Sequence, residues 1–151
     1  MVAANDHETG LSVDLGDAAR ELEWAATICR GAAHALDAAP ARDVVAALAG
    51  IHERDLAHLR RLAAQLELAT VAPAADAEAR ALGDLRRARE RDGDARVLDI
   101  VRETESRALA VYDRLESDGR LPAEFRTILA SARDELRRRH RRLDAAMRVA
   151  A

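Results

Sequence analysis

Aromatic residues are scarce in this sequence: of its 151 residues, only Trp24, Tyr112 and Phe125 are aromatic. Residues with β-branched side chains form no alternating runs, so the chain lacks the pattern of a half-buried β-strand. Alanine, leucine, arginine and glutamate, which are good helix formers, dominate instead. The composition therefore predicts an all-α protein.

Cysteine, long apolar runs and charge of one sign are lacking as well. The single Cys29 excludes an intramolecular disulfide, and no apolar run reaches the roughly 20 residues that a membrane-spanning helix needs. The 27 acidic and 24 basic residues are interspersed, so no strong field favours nucleic acid or an anionic membrane. Glycine-rich phosphate loops and Ser-His-Asp patterns are absent. We therefore expect a cytoplasmic protein that binds neither membranes nor nucleic acid, and we predict no enzymatic activity.

Apolar residues recur every three or four positions over four long segments, which predicts four helices. Their expected limits are about 14–37, 41–69, 95–117 and 122–147, with a short helix at 76–91, and prolines at 40, 73 and 122 mark turns. We expect a disordered tail at 1–12 and one domain at 13–151. Two antiparallel hairpins joined by a long crossover are typical of a ferritin-like four-helix bundle, although the spacing also fits an up-and-down bundle.

Ionisable residues interrupt the apolar stripes of three of these helices. Glu105 follows Val101 in the third helix, and His140 follows Leu136 in the fourth, each at helical spacing. We therefore predict that Glu105 and His140 point into the bundle. Asp55 and His58 interrupt the stripe of the second helix in the same way.

The second hairpin resembles a known family through three segments: VLDIVRETESRALAVY at 97–112, LPAEF at 121–125 and HRRL at 140–143. The resemblance is to the bacterial ferritin-like four-helix-bundle domain-of-unknown-function family 2383. It implies a ferritin-like fold without an established reaction, and it singles out Glu105, Tyr112 and His140. Ferritin-like di-iron proteins carry a Glu-x-x-His pair on two helices. This chain has Arg137 in place of the second glutamate, so a complete di-iron set is absent.

One hypothesis for these polar residues is a metal site. Its predicted ligands are Asp55, His58, Glu105 and His140, with Glu21 as a fifth candidate, and iron, manganese or zinc would accept such donors. If Arg120 is the middle of the turn between the antiparallel third and fourth helices, the levels of Glu105 and His140 along the bundle differ by roughly 7 Å. Such a difference disfavours a shared ion.

The alternative hypothesis is that the same groups form structural polar pairs. Glu105 would then pair with Arg133 or Arg137, because arginine is a good partner for a carboxylate. Cys29 lies on an alanine stripe and is predicted to be a small core residue. His34 and His52 fall beside their stripes, so we expect both at the margin of the bundle.

The densest basic run of the chain lies in the fourth helix, at Arg133 and 137–142. It is either a docking face for anionic partners or a solvated, ion-paired surface. The leading functional prediction is a non-enzymatic binding or interaction module, associated with stress. A metal-binding bundle and a basic-face adaptor are the alternatives, and a homodimer is expected if an alanine-rich flank is exposed.

Overall fold

The computed structural model describes residues 2–68 and 75–150, and these form four α-helices without a strand. The helices are α1 (Val2–Ala35), α2 (Ala39–Gln65), α3 (Ala75–Glu116) and α4 (Ala123–Ala150). Helix α3 is bent at Gly93, where φ is 72°. We refer to residues 75–92 as the crossover segment and to 94–116 as the long segment of α3. No helix of the described residues is long and apolar enough to cross a membrane.

The all-α prediction is confirmed, and so are the four long helices and the short helix before the third. The predicted start of the first helix, near Asp14, is wrong because α1 begins at Val2, inside the range predicted as a tail. Leu11 is buried and extends the stripe of Leu15 and Ala18 toward the N-terminus, so the apolar face does not end where predicted. The predicted end of the second helix, near residue 69, is about one turn too late, since α2 ends at Gln65.

Side-chain pairs between helices establish how the chain is arranged. Antiparallel packing of α1 and α2 is marked by the ion pairs Arg30–Glu53 and Arg60–Glu23. The long segment of α3 runs antiparallel to α1, with Arg107 on Glu21, and α4 runs antiparallel to α3, with Arg102 on Asp144. Arg54 of α2 reaches Glu135 of α4. Each helix therefore packs against two others around one core, and α2 and α3 face each other across the centre.

The crossover segment of α3 packs on α1. Its buried Leu85 and exposed Leu82 lie against Gly31, which leaves room for them because it has no side chain. After the bend at Gly93, the carboxylate of Asp94 accepts hydrogen bonds from the backbone N–H groups of Asp37 and Ala38, at 3.1 and 2.9 Å. These bonds fix the start of the long segment to the turn between α1 and α2.

We expect Gly31→Ala to lower the free energy of unfolding by about 1–2 kcal/mol, because overpacking costs about 1–3 kcal/mol and the helix preference of alanine offsets about 0.5–1 kcal/mol of that cost. A β-carbon at this position would overlap Leu82 and would lie 2.8 Å from Cδ1 of Leu85. Denaturant unfolding measures the change. Gly50→Ala is the matched control, because among the described residues no atom outside the adjacent helix backbone lies within 4 Å of the β-carbon that alanine would add. Alanine should stabilise α2 there by about 0.5–1 kcal/mol. Equal effects at both positions would contradict the proposed contact.

Candidate metal centre

A buried carboxylate, Glu105, lies at the centre of the bundle. Its Oε1 accepts hydrogen bonds from Nε2 of His52 at 2.6 Å and from Sγ of Cys29 at 3.2 Å. Its Oε2 accepts a third, from Nε2 of His140 at 2.8 Å. We call Cys29, His52, Glu105 and His140 the four-helix cluster, because each of the four helices supplies one of them. Glu105 and His52 are fully buried, and His140 is 5 % exposed.

The local sequence places each member of the cluster on the inner face of its helix. His52 lies four residues after Leu48 and four before Leu56, and all three are buried. Glu105 and His140 have the corresponding positions on their own helices, between Val101 and Ala108 and between Leu136 and Leu143. Cys29 has buried alanines on both sides, at positions 25, 26 and 32. Small neighbours allow α1 to approach the centre closely enough for its thiol to reach the carboxylate.

Hydrogen bonds determine the charge of Glu105. Burial alone would raise the pKa of this carboxyl group, but hydrogen bonds from His140 and His52 outweigh burial and lower the pKa to about 2. Burial and the nearby charge of Glu105 raise the pKa of the Cys29 thiol well above its ordinary value. At neutral pH the cluster therefore holds an ionised carboxylate and a protonated thiol that donates to it.

One nitrogen of the cluster is not satisfied by this arrangement. Nδ1 of His52 is buried and has no hydrogen-bond partner in the part of the chain that the structure describes. A buried polar atom without a partner costs about 1–3 kcal/mol. The hydrogen bonding of His52 is therefore less complete than that of Glu105, whose two oxygens are both paired.

A second buried polar pair, Asp55 and Tyr112, lies next to the cluster. Asp55 follows His52 by about one turn of α2, and Tyr112 follows Glu105 by about two turns of α3. The hydroxyl of Tyr112 donates to Oδ2 of Asp55 at 2.5 Å, and Nε of Arg54 donates to Oδ1 at 3.1 Å. Arg54 also bonds Glu135 at 2.9 Å. Burial, together with the charge of Asp55, raises the pKa of Tyr112, so its hydroxyl remains a donor. Both oxygens of Asp55 are thus already engaged.

Two of the five predicted ligands belong to the cluster. Glu105 and His140 point inward, as predicted. Asp55 is buried with Tyr112 instead, and His58 is half-buried with its Nδ1 2.6 Å from Nη2 of Arg61. Glu21 bonds Arg107 at 2.7 Å and is 32 % exposed. The structure therefore does not bring Asp55, His58 or Glu21 together with the other two.

The predicted offset between Glu105 and His140 is wrong, because the turn between α3 and α4 is not centred on Arg120. Arg133 contacts Glu116 across the hairpin, so the midpoint lies nearer to Glu124 than to Arg120. The predicted partner of Glu105 is wrong for the same reason. Arg133 reaches Glu116, and Arg137 reaches Asp113 at 3.4 Å, both nearer to the turn than Glu105.

His52 and Cys29 are the two members of the cluster that the sequence did not predict as a site. His52 is fully buried, so its predicted position at the margin of the bundle is wrong. Cys29 is also fully buried, which confirms the prediction of a core residue. The spacing of His52 from Leu48 and Leu56 would have identified it. For Cys29 no such signal exists, because a thiol on an alanine stripe has the same pattern whether or not it contacts a carboxylate.

The donor types of the cluster fit one transition-metal ion. Donor atoms of Cys29, His52 and Glu105 lie within 4.8 Å of one another, and His140 contacts the second oxygen of Glu105. Zinc binds thiolate sulfur at about 2.3 Å and imidazole nitrogen at about 2.0–2.1 Å, usually with four ligands. The cluster would have to widen slightly, since its carboxylate and imidazoles now contact each other directly. It holds only one carboxylate, so it does not fit a di-iron pair.

No protein-family model, curated protein or solved structure matches the chain at a significant level. The resemblance of the second hairpin to family 2383 therefore stays a prediction.

Proposed function

We propose that this chain is a ferritin-like bundle protein that binds a single divalent transition-metal ion, zinc or iron(II), at the four-helix cluster. One observation carries the proposal: side chains from three helices, Cys29, His52 and His140, converge on Glu105 of the remaining helix, α3, in the core. The ferritin-like part is supported by the antiparallel pairs α1–α2 and α3–α4 and by the crossover segment that packs on α1. Membership of family 2383, a stress-associated role, a cytoplasmic location and a homodimer remain predictions.

Charge balance supports this choice of ion. A divalent cation bound by the Glu105 carboxylate and the Cys29 thiolate would form a neutral centre, which suits a buried position. The thiolate makes zinc or iron(II) a better match than manganese, which prefers oxygen ligands. Because the pKa of the Cys29 thiol is raised, binding must release its proton. Metal affinity should therefore increase with pH.

Titration of the metal-free protein with zinc, and with iron(II) under anaerobic conditions, tests the proposal. We expect one ion per chain and a melting temperature that rises with the concentration of free metal, because only the folded state has the site. Cobalt(II) in place of zinc should give the charge-transfer absorption of a thiolate ligand, which Cys29→Ser should remove. Calorimetry at two pH values should show release of at least one proton.

The double variant Cys29→Ser, His140→Gln should lose most of the metal-induced stabilisation. Asp55→Asn is the matched control, because Asp55 is a buried acid on the same core face whose contacts are with Tyr112 and Arg54. It should lower the starting stability but keep the increase produced by metal. Equal stabilisation of the double variant and the wild type would eliminate the ligand assignment.

A second candidate is a non-enzymatic interaction module in which the cluster serves only to hold the helices together. It is favoured by the complete pairing of the Glu105 carboxylate, whose pKa of about 2 leaves it ionised and satisfied without a cation. Under this alternative, zinc neither binds stoichiometrically nor changes the melting temperature. The same titration therefore separates the two candidates.

A further inference from the structure

An apolar groove lies between the start of α2 and the end of α4, away from the four-helix cluster. It encloses about 480 Å³ and is lined mainly by small apolar side chains, those of Pro40, Ala41, Val44, Ala145, Ala146 and Val149. Val149 is 87 % exposed, although it is a large hydrophobic residue. We call this feature the α2–α4 groove.

Another surface of the bundle shows how such a groove is covered in this fold. There the crossover segment of α3 lies along α1, with Leu82 and Leu85 against Gly31. Within residues 2–68 and 75–150, no helix lies over the α2–α4 groove in the same way. Its alanine-rich walls would allow the backbone of another helix to approach closely, because packing of helices at short distance needs small side chains at the contact.

The α4 edge of the groove is basic, whereas the acidic lining residue lies at the start of the long segment of α3. That residue, Asp94, already accepts the backbone N–H groups of Asp37 and Ala38. Arg142 borders the groove, and Arg138 lies four residues earlier on the same face of α4. Both are exposed, and neither forms an ion pair with a described residue. Arg137, by comparison, pairs with Asp113.

We propose that the α2–α4 groove binds an acidic amphipathic helix of a partner protein. The apolar stripe of that helix would lie against Val44, Ala145 and Val149, and its acidic flank would face Arg138 and Arg142. Opposite charges at the edge of an apolar contact increase the association rate and exclude partners of the wrong charge. An amphipathic helix that lays its apolar face in a hydrophobic groove is a common mode of protein recognition. This inference does not depend on a metal ion.

Fluorescence anisotropy with three synthetic peptides of about 18 residues, each about five helical turns long and held helical by a lactam bridge, tests the proposal. The first has leucine and alanine at every third or fourth position, flanked by glutamate. The second has lysine in place of each glutamate, and the third is a scrambled form of the first. We expect micromolar binding of the first peptide only, weakened at least about tenfold by a salt increase from 0.05 to about 0.5 M.

Two variants locate the binding surface. Ala145→Glu places a charge on the exposed wall of the groove and should abolish binding, and Arg138→Glu with Arg142→Glu should weaken it at least about tenfold. Arg86→Glu, on the exposed surface of the crossover segment, is the control and should leave binding unchanged. The proposal is overturned if the glutamate peptide does not bind at about 1 mM, if the lysine peptide binds equally well, or if Ala145→Glu has no effect.

Discussion

Replacing Glu105 by alanine is expected to lower the free energy of unfolding by about 3–5 kcal/mol, the range observed when one partner of a buried charged pair is removed. Three donors lose their common acceptor at once: Nε2 of His52, Nε2 of His140 and the thiol of Cys29. The side chain also leaves a cavity, because Glu105 is fully buried. The free energy of unfolding of small domains is about 5–15 kcal/mol, so urea unfolding should detect this loss easily.

Two further variants make this result specific to the carboxylate. Glu105→Gln keeps the volume and one acceptor oxygen, so it should lose less stability than Glu105→Ala. Glu124→Ala changes an exposed glutamate in the first turn of α4, and it should stay within about 0.5 kcal/mol of the wild type. If Glu105→Ala were as mild as Glu124→Ala, the carboxylate would not be the centre of the buried network.

Acidification is expected to destabilise the metal-free protein in a defined pH range. The pKa of Glu105 is lowered from its ordinary value of 4.5 to about 2, so folding favours its ionised form. A group whose pKa is lower in the folded state contributes stability above its unfolded pKa and loses it as the pH falls through the folded value. The contribution of Glu105, about 3 kcal/mol, should therefore be complete above about pH 5 and lost between about pH 5 and pH 2.

Chemical unfolding at a series of pH values from 2 to about 6 measures this dependence. Glu105→Gln is the appropriate comparison, because it cannot titrate and keeps nearly the same volume. Its curve of unfolding free energy against pH should be flatter than that of the wild type. Parallel curves for the two proteins would mean that Glu105 does not titrate in this range, and the network of hydrogen bonds around it would have to be revised.

Periodicity predicted the helices well because apolar stripes are a local property. The burial of Glu105 and His140 followed from their place on such stripes, and the core position of Cys29 did as well. The start of α1 was not predictable from its polar first residues, although Leu11 extends the stripe. Helix limits depend on packing as well as on local sequence.

The cluster itself was only partly predictable, because contacts between helices depend on rotation and level. A rotation of α2 by about one residue decides whether His52 or His58 faces the centre, and the stripe that periodicity predicts runs through His58. The level of His140 relative to Glu105 depends on the connection at 117–122, whose extent periodicity does not determine. The thiol of Cys29 joins the cluster only because α1 packs closely on α3.

X-ray absorption at the zinc edge of the protein loaded with one equivalent of zinc tests the metal centre most directly. We predict one sulfur ligand at about 2.3 Å, two imidazole nitrogens at about 2.0–2.1 Å and one oxygen from Glu105 at about 2.0–2.2 Å. The sulfur contribution should disappear in Cys29→Ser. A spectrum that contains only oxygen ligands, or zinc removed by gel filtration without a change in melting temperature, would contradict the account.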